Sequence, residues 1–365
     1  MTSEDQKYLR QCLEIASKSA GSVSPNPLVG AIIVKNNKII SQEYHSKFGE
    51  LHAEAKAIAN ANEDLKGATL YCNLEPCCHT NKKTPPCVPK IIESGISKVV
   101  VSNVDPNPYV AGNGIKQLRE AGIEVVFGGF EKEGKELNKF FFKYIQTGLP
   151  YITIKIAQSI DSKISASEGI QTWLTGEESQ KFVHSQRAIY DAVLVGSNTV
   201  KVDNPHLTVR LTEGRNPKRI IIDSKLISPE ESKVVNDSHR ESTMIFTKTN
   251  SNIEKISLLK EKGVKVFELE PNGDGKLKLL EILKTLGNEM ISSLFVEGGA
   301  KTFKKFVENN LFDEIIILKA PILLCSGVDS EVKVENLNLD LVSEEMLGED
   351  TKYVYKNLNG FLSNN

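Results

Sequence analysis

Short apolar segments typical of β-strands alternate with helix-like segments along almost the whole chain. The strand-like LVGAIIV (28–34) precedes the alanine-rich HAEAKAIANAN (52–62), and the strand-like SKVVVS (97–102) follows a further helical stretch. Parallel strands need a crossover of about a dozen residues, usually a helix, so this alternation predicts layered α/β folds with largely parallel sheets. The pair Asn36-Asn37 lies between two apolar runs and predicts one antiparallel hairpin.

The length of the chain and a break marked by Gly148 and Pro150 predict two domains. One hydrophobic core seldom serves 365 residues. The helix-like segment 131–148 ends at Gly148, Pro150 follows, and a new strand begins at residue 151. We therefore expect one α/β domain at 1–147 and another at 148–365. Other predicted elements are a first helix capped by Ser3, strands at 68–74, 123–128, 151–159, 191–200, 219–224, 242–248, 263–269, 293–300 and 314–324, and helices at 89–95 and 112–122.

The charge balance excludes several classes of protein. The formal net charge is −2 and charges of both signs are mixed along the chain, which is unlike the basic surface of a nucleic-acid binder. The polar, acidic start is unlike a signal peptide, and no apolar run approaches the roughly 18 residues of a membrane span. We expect a cytoplasmic protein without nucleic-acid or membrane partners. Thiols stay reduced there, so a cysteine cluster indicates metal binding or catalysis.

Three of the six cysteines lie in LEPCCHTNKKTPPC (74–87). Together with His52, Cys77 and Cys87 supply three ligands for one zinc ion per chain, and catalytic zinc sites leave the fourth position to water. Glu54 is placed to move protons to and from that water. The pattern H-x-E…P-C…C is the signature of zinc nucleobase deaminases. Its usual C-x-x-C spacing is absent, because Cys87 comes ten residues after Cys77.

A structural zinc site is the alternative, with Cys78 or His79 as the fourth ligand. Such a site has no use for Glu54, which favours the catalytic interpretation. The remaining cysteines are expected in the core, where free cysteine behaves as a small apolar residue: Cys12, Cys72 and Cys325.

Motifs in both halves extend this pattern. The first half contains PNPLVG (25–30), GE (49–50), LEPC (74–77), TPPC (84–87) and DPNP (105–108), and the second contains SID (159–161), TWLT (172–175), VG (195–196), DNP (203–205) and VEGG (296–299). In this order they resemble the bifunctional deaminase/reductase family of riboflavin biosynthesis. The resemblance implies a cytidine-deaminase-like α/β/α domain followed by a dihydrofolate-reductase-like α/β domain. It also implies zinc, NADPH, phosphorylated pyrimidine substrates and a homo-oligomer.

The resemblance implies that the first domain hydrolytically deaminates 2,5-diamino-6-ribosylamino-4(3H)-pyrimidinone 5′-phosphate, with Glu54 as the catalytic residue. The implied substrate-binding positions are Asn26, His45, His79, Lys83, Asp105 and Asn107. Amide and carboxylate groups suit a pyrimidine edge, and Lys83 suits the phosphate. Plainer interpretations exist for most of them: turn residues for Asn26, Asp105 and Asn107, a solvated charge for Lys83, and a surface histidine for His45.

The second domain would reduce the ribosyl group of 5-amino-6-(5-phosphoribosylamino)uracil to ribityl. The implied cofactor positions are Ala157, Trp173, Thr199, Asp203, Ser224, Gly299, Ala300, Lys301, Thr302, Phe303, Lys304 and Lys305. The implied substrate positions are Lys155, Asp161, Gln171, Leu207, Arg210 and Glu297. Arg210 suits a phosphate, although it could be a solvated surface arginine, and Trp173 could be a core residue. Lys155 and Asp161 could either pair or frame the substrate. No G-x-G-x-x-G is present, so we do not expect a Rossmann domain.

The chain departs from the family pattern at a few positions. Ser162 replaces a glycine, Gln171 replaces a substrate-contacting serine, Cys78 replaces a serine, and the loop between the two ligand cysteines is one residue longer. Two other functions remain open at this level. One is a deaminase of free or tRNA-borne bases with an unrelated second domain, and the other is a non-catalytic zinc-binding protein.

Overall fold

In the computed structural model, which describes residues 1–80, 84–329 and 337–360, the chain folds into two units, Met1–Thr147 and Gly148–Asn365. Each unit is built around its own sheet. None of the described helices is long and apolar enough to cross a membrane.

A five-stranded sheet forms the centre of the first unit. Its strands are β1 (Gly30–Lys35), β2 (Lys38–Tyr44), β3 (Thr69–Leu74), β4 (Lys98–Asn103) and β5 (Glu124–Phe127). The order is β2-β1-β3-β4-β5, with β1 antiparallel to both neighbours and β3, β4 and β5 parallel. The hairpin turn is confirmed, because Asn36 and Asn37 both adopt positive φ, at 48° and 60°.

The helices that the described residues form around this sheet are α1 (Ser3–Ser17), α2 (Ala53–Ala59), α3 (Cys87–Glu93), α4 (Asn113–Glu120), α5 (Glu131–Leu137) and α6 (Lys139–Thr147). The predicted cap Ser3 is wrong by one residue. Thr2 caps α1 in a capping box, since its hydroxyl accepts from Asp5 N and the Asp5 carboxylate accepts from Thr2 N.

The single helix predicted over 131–148 is interrupted at Asn138. The side chain of Asn138 accepts a hydrogen bond from Leu28 N at 2.7 Å and donates to Leu28 O at 3.0 Å. These bonds attach the α5–α6 junction to the PNPLVG segment. The interruption therefore comes from a contact with a residue 110 positions away, which local helix propensity does not encode.

A nine-stranded sheet runs through the second unit. The strands of this unit are β6 (Tyr151–Gln158), β7 (Lys163–Ser165), β8 (Ala192–Gly196), β9 (Lys218–Ile222), β10 (Thr243–Lys248), β11 (Lys265–Leu269), β12 (Ser293–Val296), β13 (Glu314–Lys319), β14 (Val328–Asp329), β15 (Leu339–Leu347) and β16 (Asp350–Asn357). The order is β11-β10-β9-β8-β12-β6-β13-β16-β15, parallel from β11 to β13 and antiparallel beyond it. Strands β7 and β14 form a separate antiparallel pair.

The helices of the second unit are α7 (Glu177–Ile189), α8 (Ser197–Asp203), α9 (Lys233–Asn236), α10 (Ile253–Glu261), α11 (Leu279–Asn288) and α12 (Ala300–Glu308). One apolar cluster of this unit includes Ile154 and Leu294, and a separate cluster includes Val193 and Ile221. Burial on both faces explains the continuous apolar runs of the parallel strands.

Three predicted strands of the second unit are too long. The strand predicted at 191–200 ends at Gly196, the one at 293–300 ends at Val296, and the one at 314–324 ends at Lys319. At the first of these ends α8 begins at once with Ser197, and α12 packs closely there, since a Cβ on Gly196 would lie 2.8 Å from Thr302 Oγ1. The core expectation holds for Cys12 and Cys72 but is wrong for Cys325, which is exposed.

Candidate active sites

Three loops of the first unit meet at the same end of its sheet, where β3 and β4 end and β1 begins. Strands β3 and β4 are parallel and in register from Thr69 opposite Lys98 to Leu74 opposite Asn103, so the segments that follow them start side by side. These segments carry Cys77 and the DPNP motif. The PNPLVG segment enters β1, which is antiparallel to β3, and so reaches the same edge. Parallel pairing thus brings together motifs that are far apart in the sequence.

The ligand atoms of His52, Cys77 and Cys87 lie within 4.8 Å of one another. His52 occupies the N-cap position of α2, and Cys87 is the first residue of α3. The backbone N–H groups of Cys87 and Val88 donate to Cys77 O at 3.0 and 3.2 Å, which fixes the two cysteines relative to each other.

The spacing of these atoms fits a tetrahedral zinc ion. His52 Nδ1 is 3.4 Å from Cys77 Sγ and 3.7 Å from Cys87 Sγ. Zinc bonds of about 2.3 Å to sulfur and 2.0 Å to nitrogen require separations of about 3.5 Å. His52 Nε2 lies 3.1 Å from Thr84 Oγ1, so Thr84 orients the ring with Nδ1 towards the cysteines.

Cys78 and His79 do not complete a fourth ligand position. The Cys78 thiol donates to Tyr109 O at 3.6 Å, and the His79 ring packs against the Tyr109 ring at 5.6 Å. Within residues 1–80, 84–329 and 337–360, the three-residue cluster is the one group arranged for a metal ion. The geometry therefore favours a site with an open position over a closed structural site.

A cavity of about 310 Å³ opens beside the metal ligands. Glu54, in the first turn of α2, is buried to 3% exposure and lines this cavity. The sequence-predicted residues on the wall are Asn26, His52, Glu54, Cys77, His79, Asp105 and Asn107. Lys83 lies outside the described residues. The cavity therefore gathers most of the predicted deaminase residues around the three metal ligands.

The DPNP segment forms a turn and also lines the cavity, so the turn interpretation of Asp105 and Asn107 is confirmed and their role in substrate binding stays a prediction. Asp105 Oδ1 accepts from Asn107 N at 2.8 Å, and Asn107 Oδ1 accepts from Tyr109 N at 3.1 Å. Burial raises the pKa of Asp105 to about 7, against the lowering effect of the Asn107 N–H and with a further rise from the charge of Glu75.

Glu75 is a residue whose role the sequence did not indicate. Its buried carboxylate accepts from the backbone N–H groups of Asp105, Gly112 and Ile115 at 3.2, 2.9 and 3.1 Å. It joins the loop that carries Cys77 to the segment that carries Asp105. A glutamate directly before a proline and a ligand cysteine gave no signal of this contact, because its partners lie 30 or more residues away.

His45 is buried, so the alternative of a surface histidine is wrong, and it contacts Asn26 without lining the cavity itself, so its predicted substrate contact stays a prediction. Its Nδ1 lies 3.1 Å from Leu51 O and its Nε2 lies 3.1 Å from Asn26 Nδ2. A carbonyl only accepts, so Nδ1 carries the proton and Nε2 accepts from the Asn26 amide. Burial lowers the pKa of His45, which keeps the ring neutral. This arrangement leaves the Asn26 carbonyl oxygen for the cavity.

A charged cluster lies at the end of β12 in the second unit. Arg187, on α7, donates from Nε and Nη2 to the two carboxylate oxygens of Glu297 at 2.6 and 2.7 Å. Burial alone would raise the pKa of Glu297, but the charge and hydrogen bonds of Arg187 hold it below its usual value. Sequence reasoning missed Arg187. An arginine in a polar helix looks solvated unless its carboxylate partner is known.

Lys155 and Asp161 do not pair. Burial lowers the pKa of Lys155, against the opposing charge of Glu297. Asp161 instead accepts from Ser159 Oγ at 2.7 Å and from the backbone N–H of Cys325 at 2.9 Å. Lys155 therefore belongs with the Glu297 cluster, and Asp161 holds the loop after β13.

The other predicted substrate residues differ in burial and in the groups that they can present to a ligand. The Leu207 side chain is buried in an apolar cluster with φ at 56°, so its backbone is the part that could reach a ligand. Gln171 is exposed on the loop before α7. Arg210 is exposed, and its Nη1 donates to Thr208 Oγ1 at 3.0 Å.

The predicted cofactor residues cluster at the carboxyl edge of the parallel sheet. Thr199 and Asp203 lie in α8, Ser224 follows β9, and Gly299 to Lys305 begin α12, while Ala157 is near the end of β6. Gly298 packs so closely that a Cβ would lie 2.8 Å from Val195 Cα. Trp173 is 72% exposed, which rules out a core role. Backbone N–H groups at such an edge suit a pyrophosphate.

Known proteins resemble this chain over nearly its whole length. The RibD C-terminal domain model matches residues 150–353, and the cytidine and deoxycytidylate deaminase zinc-binding region matches residues 2–103. Riboflavin biosynthesis protein RibD of Aquifex aeolicus is 44% identical over 355 residues, 93% of this chain and 97% of that protein. The Escherichia coli protein of the same name is 36% identical over 336 residues, 88% and 89% of the two chains.

Solved structures agree with these sequence matches. Acinetobacter baumannii RibD in its form 1 superposes with a TM-score of 0.87 at 33% identity, covering 97% of this chain and 99% of that one. A diaminohydroxyphosphoribosylaminopyrimidine deaminase/5-amino-6-(5-phosphoribosylamino)uracil reductase from Thermotoga maritima superposes with a TM-score of 0.85 at 36% identity, covering 97% and 98%.

Proposed function

The chain belongs to the RibD family, the bifunctional deaminases and reductases of riboflavin biosynthesis, and from this premise we propose how its residues divide the two reactions. The deaminase is assigned to residues 1–147 and the reductase to residues 148–365. The match of the second half to a RibD domain excludes a base deaminase with an unrelated second domain. The observation that carries the assignment is the cluster of His52, Cys77 and Cys87 around a cavity that Glu54 also lines.

The protein uses zinc and NADPH. His52, Cys77 and Cys87 would hold the zinc ion, which when bound lowers the pKa of water towards neutrality. The glycine turn at 298–299 and the first residues of α8 and α12 would hold NADPH, which supplies the hydride.

In the deaminase, Glu54 moves protons. The reaction adds the oxygen of water to the ring carbon that carries the 2-amino group of the phosphorylated diaminopyrimidinone, and ammonia leaves. Glu54 takes a proton from the water and delivers one to the departing nitrogen. Asn26, held by His45, and Asp105, held by Glu75, orient the pyrimidine edge, while His79 and Asn107 complete the wall.

In the reductase, the Glu297 cluster orients the sugar and phosphate of 5-amino-6-(5-phosphoribosylamino)uracil. The charges of Arg187 and Glu297 balance each other, so the charge of Arg210 is left for a phosphorylated substrate, and Lys155 adds a hydrogen-bond donor to the cluster. The reaction breaks the bond between the ribosyl C1 and its ring oxygen, which takes up a proton. NADPH would supply the hydride that C1 gains as it becomes the first carbon of the ribityl chain. Glu297 is the carboxylate of this cluster, and its pairing with Arg187 keeps it ionised.

We further propose a cytoplasmic homo-oligomer whose partners are its small-molecule substrates. The edge strand β15 supports self-association, because Leu341, Val342 and Met346 are 47%, 50% and 62% exposed along it. Exposed apolar side chains on an edge strand are typical of a surface that another chain covers.

A coupled assay tests the function. Purified protein is given the phosphorylated diaminopyrimidinone and NADPH, and ammonia and NADPH absorbance are followed together, with and without a zinc chelator. We expect ammonia release first and NADPH consumption that depends on it. The chelator should stop ammonia release, while preformed 5-amino-6-(5-phosphoribosylamino)uracil should still consume NADPH. Ammonia without NADPH loss on either substrate would refute the reductase assignment.

A further inference from the structure

His184 makes a contact that neither reaction scheme has used. It lies on α7 and is buried, and its Nδ1 accepts hydrogen bonds from the backbone N–H of Arg210 at 2.8 Å and of Leu211 at 3.4 Å. The bond to Arg210 joins residues 26 positions apart. The imidazole therefore fixes the backbone of the segment that carries Arg210 to the helix that carries Arg187.

The protonation state of His184 follows from its donors. Backbone N–H groups only donate, so Nδ1 is unprotonated and the ring proton is on Nε2. Burial, together with the charges of Arg187 and Arg210, lowers the pKa of His184 to about 4. The ring stays neutral at physiological pH, and Nδ1 remains an acceptor throughout that range.

The segment that His184 holds ends in an available positive charge. The Arg210 guanidinium donates to Thr208 Oγ1 at 3.0 Å, and Arg187 Nη1 donates to Thr208 O at 3.1 Å. In the part of the chain that the structure describes, Arg187 pairs with Glu297, whereas no carboxylate pairs with Arg210. Thr208 thus fixes the side chain of Arg210, and His184 fixes its backbone.

We propose that His184 is a positioning residue of the reductase, which holds the backbone at Arg210 so that the exposed guanidinium meets the phosphate of the substrate. The inference rests on the proposed role of Arg210 as a substrate contact. It assigns to His184 no contact with the reacting atoms. Its loss should therefore weaken substrate binding far more than it slows hydride transfer.

A matched pair of variants tests this role. The Oδ1 of asparagine takes the place of histidine Nδ1, whereas the Oε1 of glutamine takes the place of Nε2, so His184→Asn keeps the acceptor and His184→Gln moves it. Steady-state reductase kinetics are measured on the full chain with 5-amino-6-(5-phosphoribosylamino)uracil. We expect KM to rise about tenfold in His184→Gln, as the loss of one hydrogen bond implies, with kcat changed less than about threefold. His184→Asn should stay within about threefold of the parent in both.

Two further measurements separate the possible failures. Ammonia release by the same preparations reports on the intact chain and should be unchanged in both variants. Competitive inhibition by inorganic phosphate should weaken in His184→Gln and in Arg210→Gln. A normal KM in His184→Gln, or an equal loss in both His184 variants, overturns the positioning role. A normal KM in Arg210→Gln would show instead that Arg210 does not bind the substrate, and both proposals would fall.

Discussion

The buried pair of Arg187 and Glu297 gives the sharpest prediction for the second unit. The side chains are 10% and 8% exposed, and two short hydrogen bonds join them. Breaking a buried pair leaves one charge without compensation and costs about 3–5 kcal/mol. Glu297→Gln keeps the shape but removes the negative charge and places an amide NH2 against one Arg187 donor, so its cost should lie in this range.

Differential scanning calorimetry at pH 7 measures this cost. The transition temperature of a domain of 150–250 residues falls by about 2–4 °C per kcal/mol, so the reductase transition should fall by roughly 6–20 °C in Glu297→Gln. A matched control is Glu268→Gln in the exposed pair with Lys260, whose side chains are 37% and 53% exposed. The control should lose less than about 1 kcal/mol.

The stabilisation that Glu297 contributes depends on pH, and the direction follows from its pKa. The folded-state pKa of Glu297 lies below its usual value of 4.5, so its stabilisation is fully present above that value. It is lost as the pH falls through the lowered folded-state pKa. The difference in free energy of unfolding between the parent protein and Glu297→Gln should therefore shrink as the pH falls. A difference below about 1 kcal/mol at pH 7, or one that grows on acidification, would refute the reasoning.

Three further predictions concern other positions. Thr84→Val removes the hydrogen-bond partner of His52 Nε2 and should weaken zinc binding by roughly 10–100-fold. Competition with a chromophoric chelator measures this affinity, and an unchanged value would contradict the orienting role of Thr84. Glu75→Gln removes an acceptor from the Asp105 segment and should raise the deaminase KM with zinc content unchanged, whereas a normal KM would contradict its positioning role. Ser162 has φ at 63°, so Ser162→Gly should stabilise the reductase by about 0.5–1 kcal/mol in urea unfolding, and a destabilised variant would show that its side chain is needed.

The features that could be predicted from the sequence are those that local pattern encodes. Strands such as β4 and β9 are buried runs of apolar residues, so composition alone identifies them. The metal ligands were found because histidine and two cysteines, with a glutamate two residues after the histidine, match a chemical requirement that does not depend on fold details. The asparagine turn between β1 and β2 follows from the need for positive φ.

The features that were missed depend on distant partners. Nothing near Glu75 or His184 in the sequence indicates that they accept hydrogen bonds from backbone groups many residues away. The pairing of Arg187 with Glu297 spans 110 residues. The hairpin of β15 and β16 was not predicted, because most side chains of β15 are exposed and show no long apolar run. Such contacts are set by tertiary packing, which a single sequence does not display.

The measurement that tests the central claim most directly is a comparison of the parent protein with Glu54→Gln. Zinc content, ammonia release from the phosphorylated diaminopyrimidinone and NADPH oxidation with 5-amino-6-(5-phosphoribosylamino)uracil are measured on the same preparations. The account predicts one zinc per chain in both, ammonia release reduced by at least about 100-fold in the variant, and an unchanged reductase rate. Ammonia release at the parental rate from zinc-loaded Glu54→Gln would contradict it.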